Sequence, residues 1–117
     1  MSRKNRKSRT SQYLLTPVAD ADLEEIWLYV AEQSGAARAD ALEDQLHSAM
    51  VRLGEMPGMG HLRTDLADEA LRFWAVHRFL IIYRPETRPL QILRVLHGAR
   101  DVRAILGGEL GETPTSD

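Results

Sequence analysis

Arginine is the residue type best suited to binding a partner in this sequence. Residues 71–103 contain seven arginines against Glu86 and Asp101, a net charge of +5, and no lysine. Because the guanidinium group is planar and donates in a fixed fork, arginine favours paired contacts with carboxylates and phosphates. This half of the chain is therefore predicted to present a docking surface, and its best candidates are Arg72, Arg84 and Arg94, followed by Arg78.

Three side chains form an alternative, catalytic set. Cleavage of RNA by a ribose 2′-hydroxyl needs a general base, a general acid and cations around the phosphate. His97 follows the last predicted strand, and Tyr83 and Arg84 end the strand before it. The favoured interpretation makes His97 a hydrogen-bonded structural or interface residue and Tyr83 a half-buried aromatic with a satisfied hydroxyl. Binding is thus favoured over catalysis, with His97, Arg84 and Tyr83 as the alternative.

Metal and nucleotide sites are not indicated. The chain has no cysteine, and its four histidines show no metal-ligand spacing. Gly58-Met59-Gly60 lacks the Lys-Ser/Thr pair and the strand–loop–helix context of a phosphate-binding loop, so it is interpreted as a turn. No metal and no cofactor are expected.

Length and composition fit a single small globular domain. The chain has 117 residues, of which 44% are hydrophobic and 27% charged, which argues against a wholly disordered or collagen-like protein. No apolar run approaches the roughly 20 residues that a membrane span needs. The basic N-terminus has no apolar segment behind it, so no secretory signal is predicted and a cytoplasmic location is expected.

Charge is distributed unevenly along the chain. Residues 1–12 hold five basic side chains and no acid, whereas residues 20–55 hold nine acids against two arginines. The first twelve residues are predicted to be a flexible tail, with a nucleic-acid-attracting arm as the alternative. Direct binding of nucleic acid is not expected. Residues 107–117, which contain glycine, proline and acids, are predicted to be a second flexible tail.

Two amphipathic helices are predicted after a short apolar segment at 13–15. Thr16 suits the N-cap, Pro17 suits the first helical position, and Gly35 suits the end of the first helix. A second helix is expected from about Ala36 to Glu55, and the short break between them predicts an antiparallel hairpin. The predicted core stripes are Leu23, Ile26, Trp27 and Val30 in the first helix and Ala39, Leu42, Leu46, Ala49, Met50, Leu53 and Met56 in the second.

The second half of the chain predicts three consecutive antiparallel strands. Segments 71–76, 78–84 and 90–96 are rich in branched and aromatic residues and are separated by turn residues. The middle segment is apolar at nearly every position, which predicts a central strand. Residues 57–70 are expected to be a long loop and 101–106 a short final helix. Arg94 interrupts an apolar strand, so its side chain should face solvent, a carboxylate or a partner.

The predicted fold class is α+β in the order β-α-α-β-β-β-(α), with a helical hairpin packed on one face of an antiparallel sheet. The other face is expected to stay partly open, and the arginines of the strands should emerge there or at the edges. Phe73 and Trp74 are opposite in phase, so one of the two should point away from the helices and offer an aromatic contact.

An ordered set of motifs resembles the ParE toxins of the RelE/ParE superfamily. The set begins with Leu15-Thr16-Pro17 and Asp22-Leu23-Glu24-Glu25-Ile26, continues with Pro57 and Gly60, and ends with Ile82-Tyr83-Arg84, Ile92-Leu93-Arg94-Val95-Leu96-His97 and Arg100-Asp101. The resemblance covers about residues 13–106, which defines the expected toxin domain.

The resemblance implies the toxin half of a type II toxin–antitoxin module. It implies a ParD-like antitoxin as partner and DNA gyrase as the target, whereas the RelE branch of the superfamily cuts messenger RNA on the ribosome and supplies the alternative function. The residues expected to contact antitoxin or target are Arg72, Trp74, Arg78, Arg84, Arg94, His97 and Arg100.

Overall fold

The computed structural model describes residues 13–67 and 70–107. The elements are β1 (Tyr13–Leu15), α1 (Pro17–Ser34), α2 (Ala36–Glu55), a 3-10 turn (Pro57–Met59), β2 (His61–Leu62), β3 (Arg72–Val76), β4 (Phe79–Arg84), β5 (Leu90–His97) and α3 (Val102–Leu106). The predicted tails at residues 1–12 and 107–117 lie outside the described residues, except for Gly107. The predicted α+β class and element order are confirmed.

The helical hairpin forms where the capping residues predict it. The Oγ1 atom of Thr16 accepts the backbone N–H of Ala19 at 3.0 Å, and Pro17 occupies the first helical position. Gly35 separates α1 from α2 with a φ of 96°, a backbone conformation that side-chain-bearing residues rarely adopt. The chain therefore reverses within one residue, and α2 packs along α1.

Five strands form one sheet in the order β1-β5-β4-β3-β2. The predicted central position of β4 is confirmed. β1 pairs in parallel with β5, whereas the other pairs are antiparallel, so the sheet is mixed. Because β2 to β5 alternate in direction over three turns, β2 runs opposite to β5 and therefore opposite to β1. The sequence predicted a loop where β2 lies, because a two-residue strand carries no periodicity of its own.

Both faces of the sheet carry a core, so the face that was expected to stay partly open is covered more fully than predicted. On one face the helical hairpin packs against Tyr13, Ile81, Tyr83 and Val95. On the other face α3 and the segment before β3 form a second core. The members of the second core are Ala67, Leu71, Phe73, Ile82, Leu93, Leu96, Val102 and Leu106.

The aromatic pair on β3 is divided between these two cores. Phe73 points away from the helices but is only 2% exposed, because the second core covers it. Trp74 points toward the helical side and is half-buried against the first core. Phe73, which points away from the helices, is therefore buried and cannot offer the surface contact that the sequence predicted.

Two predicted core residues of the helices are more exposed than their spacing suggested. Met56 follows the end of α2 and is 61% exposed. Trp27 is half-buried at the seam between the helices, where its indole Nε1 donates to the Oδ1 atom of Asp40 at 2.8 Å. The hairpin therefore uses Trp27 partly as a hydrogen-bonding link rather than as a fully buried core residue.

A buried ion pair joins α1 to β5. The Nε and Nη2 atoms of Arg94 donate to the two carboxylate oxygens of Asp22 at 2.7 and 2.8 Å. The same carboxylate accepts the backbone N–H of Val95 at 3.0 Å. β1 ends at Leu15, opposite Ile92, so β5 has no strand neighbour on this side beyond Ile92 and Asp22 takes that place.

The ion pair corrects the role expected for Arg94. The side chain of Arg94 was expected to face solvent, a carboxylate or a partner, and in the structure it contacts a carboxylate. Both side chains are buried, with relative exposures of 7% for Asp22 and 9% for Arg94. The guanidinium group therefore does not belong to an open docking surface.

Removal of the Asp22 carboxylate should strongly destabilise the fold. Asp22→Ala leaves the buried guanidinium of Arg94 without this partner, and loss of one member of a buried pair costs about 3–5 kcal/mol. Replacement of both residues, as in Asp22→Leu with Arg94→Met, should recover much of that loss. Urea unfolding measures the free energy, and Glu32→Ala, at an exposed site on the same helix, serves as the control. A cost for Asp22→Ala as small as that of the control would contradict the role of the pair.

Candidate docking groove

The seven predicted contact residues do not form one surface. Arg78, His97 and Arg100 lie at the end of the sheet where β4 begins and β5 finishes, since Phe79 pairs with His97. Arg84 lies at the opposite end of β4, beside Gln91. Arg72 and Trp74 lie on β3 next to β2, and Arg94 is buried. Only the first three are thus brought together.

A groove runs along α1 at the end of the sheet that carries His97. It consists of two cavities of about 290 and 520 Å³ that share Tyr29, Phe79 and His97. We call these two adjoining cavities together the His97 groove. The first cavity is lined in addition by Asp22, Glu25, Ile26, Val95 and Arg100, and the second by Val30, Gln33, Ser34, Arg38, Ala41, Leu42, Gln45, His77 and Arg78.

The floor of the His97 groove is apolar and its sheet-side rim is cationic. Ile26, Phe79 and Val95 line the floor, and the ring of Tyr29 is 59% exposed beside them. The guanidinium groups of Arg78 and Arg100 are exposed, and neither has an ion pair or hydrogen bond with any residue in 13–67 or 70–107. Two cations are therefore available beside an exposed apolar surface.

Local contacts fix the orientation of His97. Its Nδ1 atom accepts the backbone N–H of Ala99 at 3.0 Å, and its ring meets the ring of Phe79 edge-on with centroids 5.3 Å apart. In the neutral imidazole this arrangement leaves the hydrogen on Nε2, which can donate to a bound group. His97 is therefore positioned as a hydrogen-bond donor at the junction of the two cavities.

The turn between β3 and β4 closes the second cavity against α2. His77 has a positive φ of 56°, and its Nε2 atom hydrogen-bonds to the Oε1 atom of Gln45 at 2.5 Å. Arg78 follows in the same turn. A further cavity of about 390 Å³ lies on the side of the sheet that α3 covers and is also lined by Arg78 and His97.

The alternative catalytic residues do not converge. Tyr83 and Phe79 are four positions apart on β4, and His97 pairs with Phe79, so about 13 Å of strand separates Tyr83 from His97. Tyr83 is fully buried, and its hydroxyl donates to the carbonyl oxygen of Pro57 at 2.6 Å while accepting the N–H of Gly60 at 2.9 Å. Tyr83 thus holds the turn after α2 rather than facing a cavity that it shares with His97.

Arg72 is also engaged in holding this turn. Its Nη1 atom donates to the carbonyl oxygen of Gly60 at 2.7 Å. A Cβ atom at Gly60 would lie 2.5 Å from the Tyr83 hydroxyl, so only glycine fits there. The same turn leads into His61, whose ring stacks on Trp74 with centroids 6.2 Å apart. Gly60 was predictable as a turn residue, but its close approach to Tyr83 was not, because the sequence contains no local signal for it.

Within the part of the chain that the structure describes, two further features are lacking. No group of three or more His, Cys, Asp or Glu side chains is arranged to hold a metal ion. No described helix combines the length and the apolar character that crossing a bilayer requires.

Comparisons with known proteins identify the family. The family model described as the ParE toxin of type II toxin–antitoxin systems, parDE, matches residues 13–102. The chain belongs to the ParE toxin family. It is 34% identical over 95 residues to Toxin ParE1 of Caulobacter vibrioides, covering 81% of this chain and 97% of that toxin. Toxin ParE3 of the same organism is 32% identical over 92 residues, covering 79% and 91% of the two chains.

More distant relatives agree with this assignment. Toxin ParE1 of Mycobacterium tuberculosis is 29% identical over 93 residues, covering 80% of this chain and 95% of that toxin. A solved structure titled "Chromosomal ParDE TA system from P. aeruginosa" shares the fold, with a TM-score of 0.64 at 20% identity over 74% of this chain and 94% of that chain. The resemblance to ParE toxins is therefore confirmed, and the chain is a ParE-type toxin of a ParDE toxin–antitoxin system.

The buried hydroxyl of Tyr83 should make the stability of this ParE toxin depend on alkaline pH. Burial raises the pKa of Tyr83 above its usual value near 10, although the N–H of Gly60 and the charge of Arg72 act in the opposite direction. The unfolded chain then loses this proton first, so the contribution to stability is complete below about pH 10 and declines as the pH rises through the folded-state value.

Tyr83→Phe tests this dependence directly. The variant should lose about 1–3 kcal/mol at neutral pH, because the N–H of Gly60 keeps no acceptor at this position. Its stability should also decline less than that of the parent between neutral pH and pH values above about 10. Chemical unfolding at a series of pH values measures both effects. An unchanged alkaline slope in Tyr83→Phe would show that Tyr83 does not cause it.

Proposed function

We propose that this ParE toxin acts by binding and inhibiting DNA gyrase in the cytoplasm, and that a ParD-like antitoxin neutralises it by docking in the His97 groove. The observation that carries the docking proposal is the combination of an apolar floor with the guanidinium groups of Arg78 and Arg100, which have no ion-pair or hydrogen-bond partner among the described residues. Gyrase as the target follows from the resemblance to ParE toxins.

The chemistry of the His97 groove suits an amphipathic, acidic segment. An apolar side chain of the partner can cover Ile26 and Phe79, and its carboxylates can pair with Arg78 and Arg100. His97 adds a hydrogen-bond donor at the centre. A segment that orders on binding loses conformational entropy, so a preformed groove on packed secondary structure favours its affinity.

The other predicted contacts belong to a separate part of the surface. Arg72, Trp74 and Arg84 lie away from the His97 groove, and β4 alone spans about 17 Å between the two ends of the sheet. An antitoxin that touches both regions must therefore run along the sheet. We propose the contact at the groove as the primary one and those three residues as secondary contacts.

Binding is also favoured over RNA cleavage by the placement of the alternative catalytic set. A general acid and a general base must both come within hydrogen-bond reach of the reacting group. Tyr83 is buried and hydrogen-bonded to the turn after α2, whereas His97 lies at the far end of the sheet. This arrangement supports a toxin that acts by docking.

Two assays with purified components separate the candidate activities. The toxin should inhibit DNA supercoiling by gyrase, and addition of the cognate antitoxin should restore it. The same toxin incubated with ribosomes and messenger RNA should leave the message intact. Message cleavage that His97→Ala abolishes, without any effect on supercoiling, would refute the gyrase proposal and support the RelE-like alternative.

Charge reversal in the His97 groove tests the docking site. Arg100→Glu should weaken antitoxin binding about tenfold or more, which corresponds to about 1.4 kcal/mol. Stability should change by less than about 0.5 kcal/mol, because the side chain is exposed. Calorimetric titration measures the affinity, and Arg52→Glu on the exposed side of α2 is the matched control. If the antitoxin bound both variants with equal affinity, the groove would not be part of the interface.

A further inference from the structure

The end of the sheet that carries His97 is hollowed on both faces. The His97 groove lies on the side of the helical hairpin, and a cavity of about 390 Å³ lies on the side that α3 covers. We call the latter the α3-side cavity. Four residues line both the groove and this cavity, namely His77, Arg78, Phe79 and His97. The two sites therefore adjoin each other across the end of the sheet.

The floor of the α3-side cavity is apolar and open to solvent. Ala75 and Leu80 pair across β3 and β4, and both line the cavity. Ala75 lies two positions after the buried Phe73, so its side chain points to the same face of the sheet. Ala75 is nevertheless exposed, and Leu80 is only half-buried. An apolar side chain of a partner can therefore cover this floor.

The rim of the α3-side cavity is cationic. Its lining includes two arginines and two histidines, and no aspartate or glutamate is among the described residues that line it. Both carboxylate oxygens of Asp65 accept from the guanidinium of Arg63, at 2.9 and 2.8 Å. The guanidinium of Arg78 has no such partner in residues 13–67 or 70–107. This charge is complementary to carboxylates on a partner.

Hydrogen bonds within the toxin hold the walls of the α3-side cavity. The backbone N–H of Gly98 donates to the carbonyl oxygen of Arg78 at 2.8 Å, which joins the end of β5 to the turn before β4. The Nη1 atom of Arg103 donates to the carbonyl oxygen of Thr64 at 3.2 Å, which joins α3 to the segment before β3. Because these walls are already formed, a partner binds with little further loss of conformational entropy in the toxin.

We propose that the toxin binds its target through the α3-side cavity, and that the target contributes an acidic protein segment with apolar side chains. This inference rests on the proposed function, in which the antitoxin occupies the His97 groove. A partner in either site meets Arg78 and His97, so the antitoxin and the target cannot both pair with them. Neutralisation then follows from direct competition for these shared residues.

The apolar floor favours a protein segment over a nucleic-acid backbone. Phosphates are bound by cations and by polar hydrogen-bond donors placed along the strand. The α3-side cavity instead places Ala75 and Leu80 between its cations, and these side chains donate no hydrogen bond. A carboxylate beside an apolar side chain satisfies both parts of the surface.

Substitution of Ala75 tests the α3-side cavity without changing the His97 groove, because this residue lines only the former. Ala75→Glu places an anionic side chain on the floor and should repel an acidic partner. Ala75→Lys adds similar bulk with the opposite charge. Ala21→Glu is the matched control, because Ala21 is exposed on α1 and lines none of these cavities.

Growth of bacteria that express the full-length toxin without antitoxin is the first measurement, because it does not depend on the identity of the target. Ala75→Glu should relieve growth arrest and raise the concentration that half-inhibits supercoiling by gyrase about tenfold or more. Ala75→Lys should lose much less, and Ala21→Glu should behave as the parent does. All three variants should keep the parent's thermal unfolding midpoint and its affinity for the antitoxin.

Four results would overturn this proposal. They are growth arrest by Ala75→Glu equal to that of the parent, equal losses in Ala75→Glu and Ala75→Lys, loss of antitoxin binding by a folded Ala75→Glu, and cleavage of messenger RNA that Ala75→Glu abolishes. The second would exclude an acidic partner, the third would assign the cavity to the antitoxin, and the fourth would assign it to a nucleic acid. Growth arrest without inhibition of gyrase would refute the proposed target, while the growth measurement would still test the cavity.

Discussion

The contact between Asp22 and the edge of β5 is the constraint on which the rest of this structure depends. One carboxylate binds the guanidinium of Arg94 with both oxygens and also accepts the N–H of Val95. It thereby occupies the place of a missing strand beside β5 and satisfies a backbone donor that would otherwise be buried without a partner. A buried ion pair often adds little net stability, but its strict geometry fixes how α1 lies on the sheet.

The position of α1 in turn creates the His97 groove. Ile26 and Tyr29 follow Asp22 at spacings of four and seven residues, so they lie on the same face of the helix and continue along the end of the sheet. Phe79, His97 and the neighbouring arginines meet this face from the strands. A carboxylate at the start of the helix thus positions an exposed apolar surface two turns later.

The sequence predicted those features that depend on local periodicity and capping. The helices at 17–34 and 36–55 were predictable from their apolar spacing and from Thr16 and Gly35, and the central place of β4 followed from its apolar character. The need of Arg94 for a partner was also predictable, since a buried guanidinium group is costly alone. The identity of this partner was not predictable, because Asp22 lies 72 residues away from Arg94 and only the tertiary fold brings the two together.

The candidate site was predicted less completely than the fold. The arginines were expected on one open surface, but α3 and the segment before β3 cover the second face of the sheet. The strand directions then place Arg78 and Arg100 at one end and Arg84 at the other. The sequence shows which residues are cationic, but which of them lie close together depends on strand length and register.

Hydrogen exchange of the toxin with and without its antitoxin tests the central claim most directly. Docking in the His97 groove predicts slower exchange at the amides of residues 26–30 and 95–100, which line or adjoin the groove on α1 and at the end of β5. Protection confined to residues 61–62 and 84–91, at the other end of the sheet, would contradict the account.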